Sequence, residues 1–216
     1  NTFANGISNV YAKNMLYVEL ANRYYKSGKP QKGNEIIAES LVLIQNIDND
    51  YEIDKEYCDI INMYIDNKML DKALRTSILF NDDMLRDEVL QKISYNYLIE
   101  KGKNDYDMML SKAIGIANDI KSNNFRGAAY YKIAEQCNIL GKHTHAKKYL
   151  TTSYNIINRM KNTYDKAYHV ACIAEQYIKL NMNNKANELL TDSLAILKDS
   201  KSAKQKSKTV GKIAAV

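Results

Sequence analysis

The sequence predicts an all-α fold, a right-handed α-solenoid of stacked antiparallel helix pairs, and three observations predict it. The first is self-similarity at a spacing of 40 residues. Tyr130, Ile133, Ala134, Glu135, Gln136, Ala146, Leu150, Ser153 and Ile156 correspond to Val170, Ile173, Ala174, Glu175, Gln176, Ala186, Leu190, Ser193 and Ile196, and eight of the nine pairs are identical. Repeats of roughly 20 to 50 residues are the signature of stacked arrays. The second is that apolar residues recur at offsets of three and four, the helical period. The third is that little interrupts a helix: the 216 residues include one Pro and eight Gly, while Leu, Ile, Ala, Lys and Glu favour helices.

Composition narrows the classes further. With 45% hydrophobic and 26% charged residues the chain is an ordinary globular one. No apolar run approaches the roughly 18 residues that cross a bilayer, so membrane insertion is not expected. Cys58, Cys137 and Cys172 are odd in number, lack metal-type spacing and fall on apolar helical positions. They read as small hydrophobes, which favours a reducing, cytoplasmic setting without excluding export. A net charge of +6 from 31 basic and 25 acidic residues is a mild excess on a mixed surface. It lacks the concentrated basic footprint of a nucleic-acid binder, so none is expected as partner.

Taken along the chain, Leu20-Ala21, Ile60-Ile61, Ile93-Ser94, Ile133-Ala134, Ile173-Ala174 and Ile213-Ala214 anchor successive units, spaced 40, 33, 40, 40 and 40. Four residues after the first anchor position come Tyr24, Tyr64, Tyr97, Cys137 and Tyr177. Small residues follow (Gly33, Ala73, Ala146, Ala186), then Ile37, Leu110, Leu150 and Leu190, then Ser40, Ala113, Ser153 and Ser193. Each unit is thus two helices, A and B, and the units run 12–48, 49–82, 83–121, 122–161 and 162–201, with a partial sixth at 202–216. Gly28 and Gly141 end A helices as left-handed caps. Between units, Asn recurs two residues before an aromatic (Asn9/Tyr11, Asn49/Tyr51, Asn162/Tyr164), with Asn capping the next helix and the aromatic filling the corner. The spacing of 33 removes seven residues, close to two helical turns. Helix B of the second unit is therefore expected to be short while burying the same face. Phe3 and Ile7 lie 40 residues before Leu43 and Ile47, so residues 1–8 read as the end of an earlier B helix. The single domain is expected to be a segment excised from a longer chain.

The pattern large-x-x-large-small-x-x-aromatic in helix A, with spaced small residues in helix B, resembles the tetratricopeptide repeat family. The fourth unit carries it as Tyr130, Ile133, Ala134, Cys137, Gly141, Ala146, Leu150 and Ser153, and the first as Tyr17, Leu20, Ala21, Tyr24, Gly28, Gly33, Ile37 and Ser40. Departures are the 40-residue unit, longer than the family's usual 34, Tyr106 in place of a small residue, and no closing Pro. The resemblance implies a concave groove lined by helix A residues, here Asn22, Tyr25, Asn62, Lys92, Tyr95, Tyr131, Lys132, Glu135, Tyr168 and Glu175. Tyr offers wide amphipathic contact at low entropic cost. A chaperone-type carboxylate clamp is not implied. Its places hold Val18, Asn22, Asp59, Glu88 and Lys92, of which two would repel a carboxylate.

Nothing points to catalysis. No phosphate-cradling Gly run, G-x-S-x-G or H-E-x-x-H is present, and no cofactor is expected. His143-x-His145 lacks nearby ligands to complete a metal site, so it reads as an exposed turn. Glu135 and Glu175 occupy equivalent positions, a surface row rather than a catalytic pair. Lysines crowd the stretch from Lys198 to Lys212, and a weaker basic column, Lys13, Arg86, Arg126 and Lys166, follows the inter-unit corners, where it complements helix C-terminal dipoles. The expected function is a non-catalytic protein- or peptide-binding scaffold. The alternatives are a peptide-sensing regulatory module of a larger protein and an architectural, self-assembling repeat.

Overall fold

The computed structural model describes residues 9–101, 105–161, 164–198 and 203–214, with side chains described for all of these except 101 and 203–208. Among these residues there is no strand, and eleven α-helices follow one another. They are α1 (Val10–Lys26), α2 (Pro30–Ile44), α3 (Asp50–Asp66), α4 (Leu70–Thr76), α5 (Asp83–Lys101), α6 (Tyr106–Asp119), α7 (Asn123–Ile139), α8 (His143–Asn158), α9 (Tyr164–Lys179), α10 (Asn183–Lys198) and α11 (Ala203–Ala214). Two compact units divide the chain, Asn1–Ile93 and Ser94–Val216, and α5 runs through the division. The expectations for Phe3, Ile7, Asn162 and most lysines between Lys198 and Lys212 lie outside the described residues.

In the first unit α1 packs on α2 and α3, and α3 on α4. In the second, α7 packs on α8 and α9, and α9 on α10 and α11. Each unit is a stack of antiparallel helix pairs, the all-α solenoid arrangement that the repeat predicts. The anchors make its core: Ile60, Ile93, Ile133 and Ile173 are fully buried, and so are the small partners Ala21, Ala73, Ala146 and Ala186. Each such Ile contributes roughly 1.5–3 kcal/mol by leaving water.

The turns follow local chemistry. Asn9 and Asn49 cap α1 and α3, accepting the amides of Ala12 and Glu52. The aromatics after them do not fill a corner: Tyr11 and Tyr51 are exposed, because the helix begins beside them and turns their rings outward. Gly28 and Gly141 take the left-handed conformation at φ 72°, and Lys68 and Asn181 hold the same place at φ 61° and 57°. At all four ends the amide one residue further on returns to the large helix A residue, Lys29 to Tyr24, Met69 to Tyr64, Lys142 to Cys137 and Met182 to Tyr177. This bond satisfies a helix-terminal carbonyl.

A buried hydrogen bond ties B to A inside the pairs. Ser153 Oγ donates to the Gly127 carbonyl at 2.7 Å and Ser193 Oγ to the Ala167 carbonyl at 2.8 Å, while Ser40 Oγ donates to the side-chain oxygen of Asn14. Asn14 in turn donates to Glu56 of α3, so one polar chain crosses three helices. The second pair solves the problem differently. As the spacing of 33 predicts, α4 is only seven residues long and is followed by a 3₁₀ turn, Ser77–Leu79. The carboxylate of buried Asp54, at the position of Asn14, accepts the amides of Asn81 and Asp82 at 2.7–3.1 Å. Loop backbone takes the place of the missing serine.

Candidate functional site

Helix A residues that do not stack against neighbours form a row in each unit. In the first unit Asn22 accepts the Asn67 side-chain amide at 2.8 Å, tying α1 to α3. Tyr25 donates to Asn34 at 2.8 Å, and Lys72 also reaches Asn34. The Lys72 ammonium lies over both Tyr25 and Tyr64, 5.5 and 5.6 Å from the ring centres. Burial pushes its pKa down, and nearby Arg75 pushes it further. Tyr25 packs against Gly33 so closely that a Cβ there would stand 2.7 Å from its ring. Asn62 is half-buried, and Lys92 pairs with Glu88 at 3.0 Å. Cys58, beside that pair, is half-buried, and its thiol is raised to about 11, by burial first and then by Glu88.

In the second unit the row carries alternating charges. Lys132 meets Glu135 at 2.9 Å within α7, and Glu135 meets Lys179 of α9 at 3.1 Å. Lys179 meets Glu175 at 3.2 Å, and Glu175 pairs with Lys212 of α11. Gln176 adds a bond to Glu135 at 3.1 Å. Burial alone would raise both carboxyls, but the lysine hydrogen bonds overcome it and leave both below the usual range. Burial also works against the Lys179 and Lys212 ammoniums, and their carboxylate partners reverse it and raise them. The result is a pre-set lattice of charge, three cations and two anions across three helices.

Tyr95 and Tyr168 stand half-exposed in the same unit. Tyr131 is 7% exposed. Its ring packs against His169 at 5.8 Å and its hydroxyl engages Cys172. Tyr131 thus serves the packing of α7 on α9 rather than the surface, because the neighbouring A helix covers its position in the turn. Sequence reasoning missed Lys179, Gln176 and Lys212. The signal was present: Lys179 stands four residues after Glu175, and Lys212 stands 80 after Lys132.

The other sequence motifs resolve into structure. His143 Nδ1 engages Asn138 at 2.8 Å, whereas His145 Nδ1 engages Tyr106 at 2.7 Å and stacks on its ring. Tyr106 also reaches Cys137 at 3.4 Å. The large residue at a small position is thus bound into the next helix pair. Among the described residues no group of three or more His, Cys, Asp or Glu is placed to hold a metal. Two members of the basic column, Lys166 and Arg126, cap helix ends. Lys166 donates to the carbonyls of Asn158 and Met160 at 2.9 and 3.3 Å, and Arg126 to that of Ile120 at 3.4 Å.

No family model matches the chain, and no curated protein matches it. Among solved structures it is similar to two chains from Podosopora anserina described as putative kinesin light chain nearly identical TPR-like repeats. One of these, a point variant, is 15% identical over 84% of this chain and 93% of that one, with a TM-score of 0.45. The other is 14% identical over 88% and 97%, again at 0.45. At that likeness the fold rests on the helices themselves. In its anchor residues and its paired helices alike, the chain resembles the tetratricopeptide-like arrays.

Proposed function

We propose that the chain is a non-catalytic scaffold for protein partners, and that the helix A row of the second unit is its binding face. The observation behind this reading is the charge lattice of Lys132, Glu135, Lys179, Glu175 and Lys212, with half-exposed Tyr168 beside Lys212 and half-exposed Tyr95 in an A helix of the same unit. Its side chains are ordered by one another before any partner arrives, which lowers the entropy lost on binding. Alternating charge selects a peptide whose own charges alternate along its length, since a single-sign segment would meet repulsion at every second contact. The tyrosines supply the apolar contact that exposed ion pairs do not. In the first unit Asn22, Tyr25, Asn62 and Lys92 form a second row, more engaged with its own neighbours.

Affinity capture from native lysate with the chain as bait tests the reading. A Tyr95→Ala/Tyr168→Ala double variant is expected to lose the captured protein while keeping its helical circular dichroism. Because Tyr131 is buried, it is left intact. Equal capture by the double variant would remove this face from consideration. Light scattering over a range of concentrations separates such a binder from a self-assembling repeat.

A further inference from the structure

The net charge of +6 is unevenly divided. The first unit, residues 1–93, holds 11 basic and 15 acidic residues, and the second, residues 94–216, holds 20 and 10. The units therefore carry −4 and +10. The excess in the second has a centre. Between Glu135 and Asp165 lie 29 residues without an acid, and Lys142, Lys147, Lys148, Arg159 and Lys161 among them are all exposed. That stretch is α8 with its flanks. The other B helices differ. At the repeat position of Lys148 stand Glu35 of α2 and Glu188 of α10, and at that of Thr152 stand Glu39 and Asp192. In addition α4 keeps Asp71, and α6 keeps Asp107 and Asp119. Packing does not require the change, because α8 buries Ala146, Ser153 and Ile157 where α10 buries Ala186, Ser193 and Leu197. The acids are missing from the outward face alone.

In α10 the lysine of this face is answered, for Lys185 meets Glu188 at 2.7 Å. Among the described residues no carboxylate pairs with any of the five cations around α8. Lys142 and Lys148 rest instead on the rings of Tyr106 and Tyr149, 5.1 and 5.5 Å from their centres, which places their charges without neutralising them. Lys142 also stands at the N-cap of α8, where the helix dipole disfavours a cation. A face that gathers like charge against the interest of its own helix is complementary to an anion. Lys148 and Arg159 stand 11 residues apart, about 17 Å along the helix, which an extended chain spans in about five residues. The face suits a polypeptide better than a nucleic acid. The tyrosines of α8 give a base nothing to stack on, since Tyr149 is buried and Tyr154 is half-buried and donates to Asp192. Four of the five cations are Lys, without the planar fork by which Arg grips phosphate. We propose that the outward face of α8 docks an acidic segment of a partner protein, with its carboxylates on Lys142, Lys147 and Lys148 at one end and on Arg159 and Lys161 at the other. The helix A row would repel such a single-sign segment, so the two faces select different sequences.

The probe is a peptide with two short glutamate runs separated by about five Gly and Ser residues, carrying a neutral dye. It is titrated into the full 216-residue protein and followed by anisotropy at low and high salt. Saturable binding is expected, weakened by salt and weakened about tenfold or more by Lys147→Glu/Lys148→Glu. Arg159→Glu/Lys161→Glu should weaken it as well, and Tyr95→Ala/Tyr168→Ala should leave it unchanged. Because all four charged positions are exposed, the variants should keep the parent's circular dichroism and melting. Should a reversed pair fail to fold, Lys147→Gln/Lys148→Gln decides in its place. No binding, or binding that ignores the lysine variants, overturns the proposal. Loss on the tyrosine variant would put the peptide on the helix A row and overturn it too. Tighter capture of an oligothymidylate of equal charge would make the occupant a nucleic acid. Mass that grows with concentration, and stops growing in Lys147→Glu/Lys148→Glu, would make it the acidic unit of a second copy. Either result also overturns the assignment to an acidic partner segment.

Discussion

At the four helix A ends that use a left-handed residue, glycine fills two places and Lys68 and Asn181 the others. A side chain with a Cβ costs about 1–2 kcal/mol in that conformation. Lys68→Gly is therefore expected to stabilise the protein by about 1 kcal/mol in urea unfolding, against the usual direction of glycine substitutions. Two helical glycines make an opposite pair. A Cβ at Gly127 would stand 2.2 Å from the Cδ1 atom of Ile157, which is fully buried and cannot retreat, whereas a Cβ at Gly115 meets nothing within 4 Å. Gly127→Ala should cost about 1–3 kcal/mol, and Gly115→Ala should gain about 0.5–1 kcal/mol. Thermal melts of the two single variants check both signs. Gly28 and Gly141 were legible as caps because glycine advertises the conformation; Lys68 and Asn181 were not, since the backbone imposes it on residues that do not prefer it. Ser40, Ser153 and Ser193 were legible as small residues only, since spacing reports size and not hydrogen bonding.

At the scale of elements, the lattice that joins α7, α9 and α11 makes pH the natural probe. Glu135 and Glu175 sit below their unfolded pKa values, so their contribution is present above about pH 4.5 and disappears as pH falls through the lowered folded values. Lys179 and Lys212 are raised, so theirs is present below about pH 10.5 and is lost as pH climbs through the folded values. Melting temperature should fall on both sides of that window. A Glu135→Gln/Glu175→Gln variant should show a flatter acid limb, and an unchanged limb would deny the lattice any role in stability. The short α4 was legible, since deleting two turns preserves the buried face. Its consequence at Asp54 was not, because nothing in the spacing says that loop amides replace a serine hydroxyl. Lys132, Glu135 and Glu175 were found from the repeat. Lys179 and Lys212 stood within the same pattern, four residues after Glu175 and two units after Lys132, but no spacing says that they pair across helices with Glu135 and Glu175.

Across the whole molecule, arrays of this kind derive stability from each pair and its neighbours, so protection should follow local burial. The ten buried residues of α9 exceed the eight of α7 and far exceed the three of α1. Amide hydrogen exchange is expected to be slowest in α9, nearly as slow in α7, and faster in α1 by an order of magnitude or more. Uniform protection from α1 to α9 would contradict that ordering. The array itself was plain from the sequence, because each unit buries the same small set of positions. The helix A row, by contrast, needed the structure to remove Tyr131.

The hydrogen bond from helix B to helix A has a bearing on how such a chain can grow. In the α7/α8 and α9/α10 pairs its acceptor is a main-chain carbonyl, which every residue carries. In the α1/α2 pair it is Asn14, which in turn needs Glu56, and in the α3/α4 pair an aspartate answers a helix that is two turns short. A copying error that repeats either of the later pairs brings with it everything the joint requires. One that repeats an earlier pair separates a side chain from its partner and leaves a buried polar group to be repaired by further mutation. Lineages descended from this gene should therefore gain and lose length in the second half of the chain, while the first half changes by substitution alone.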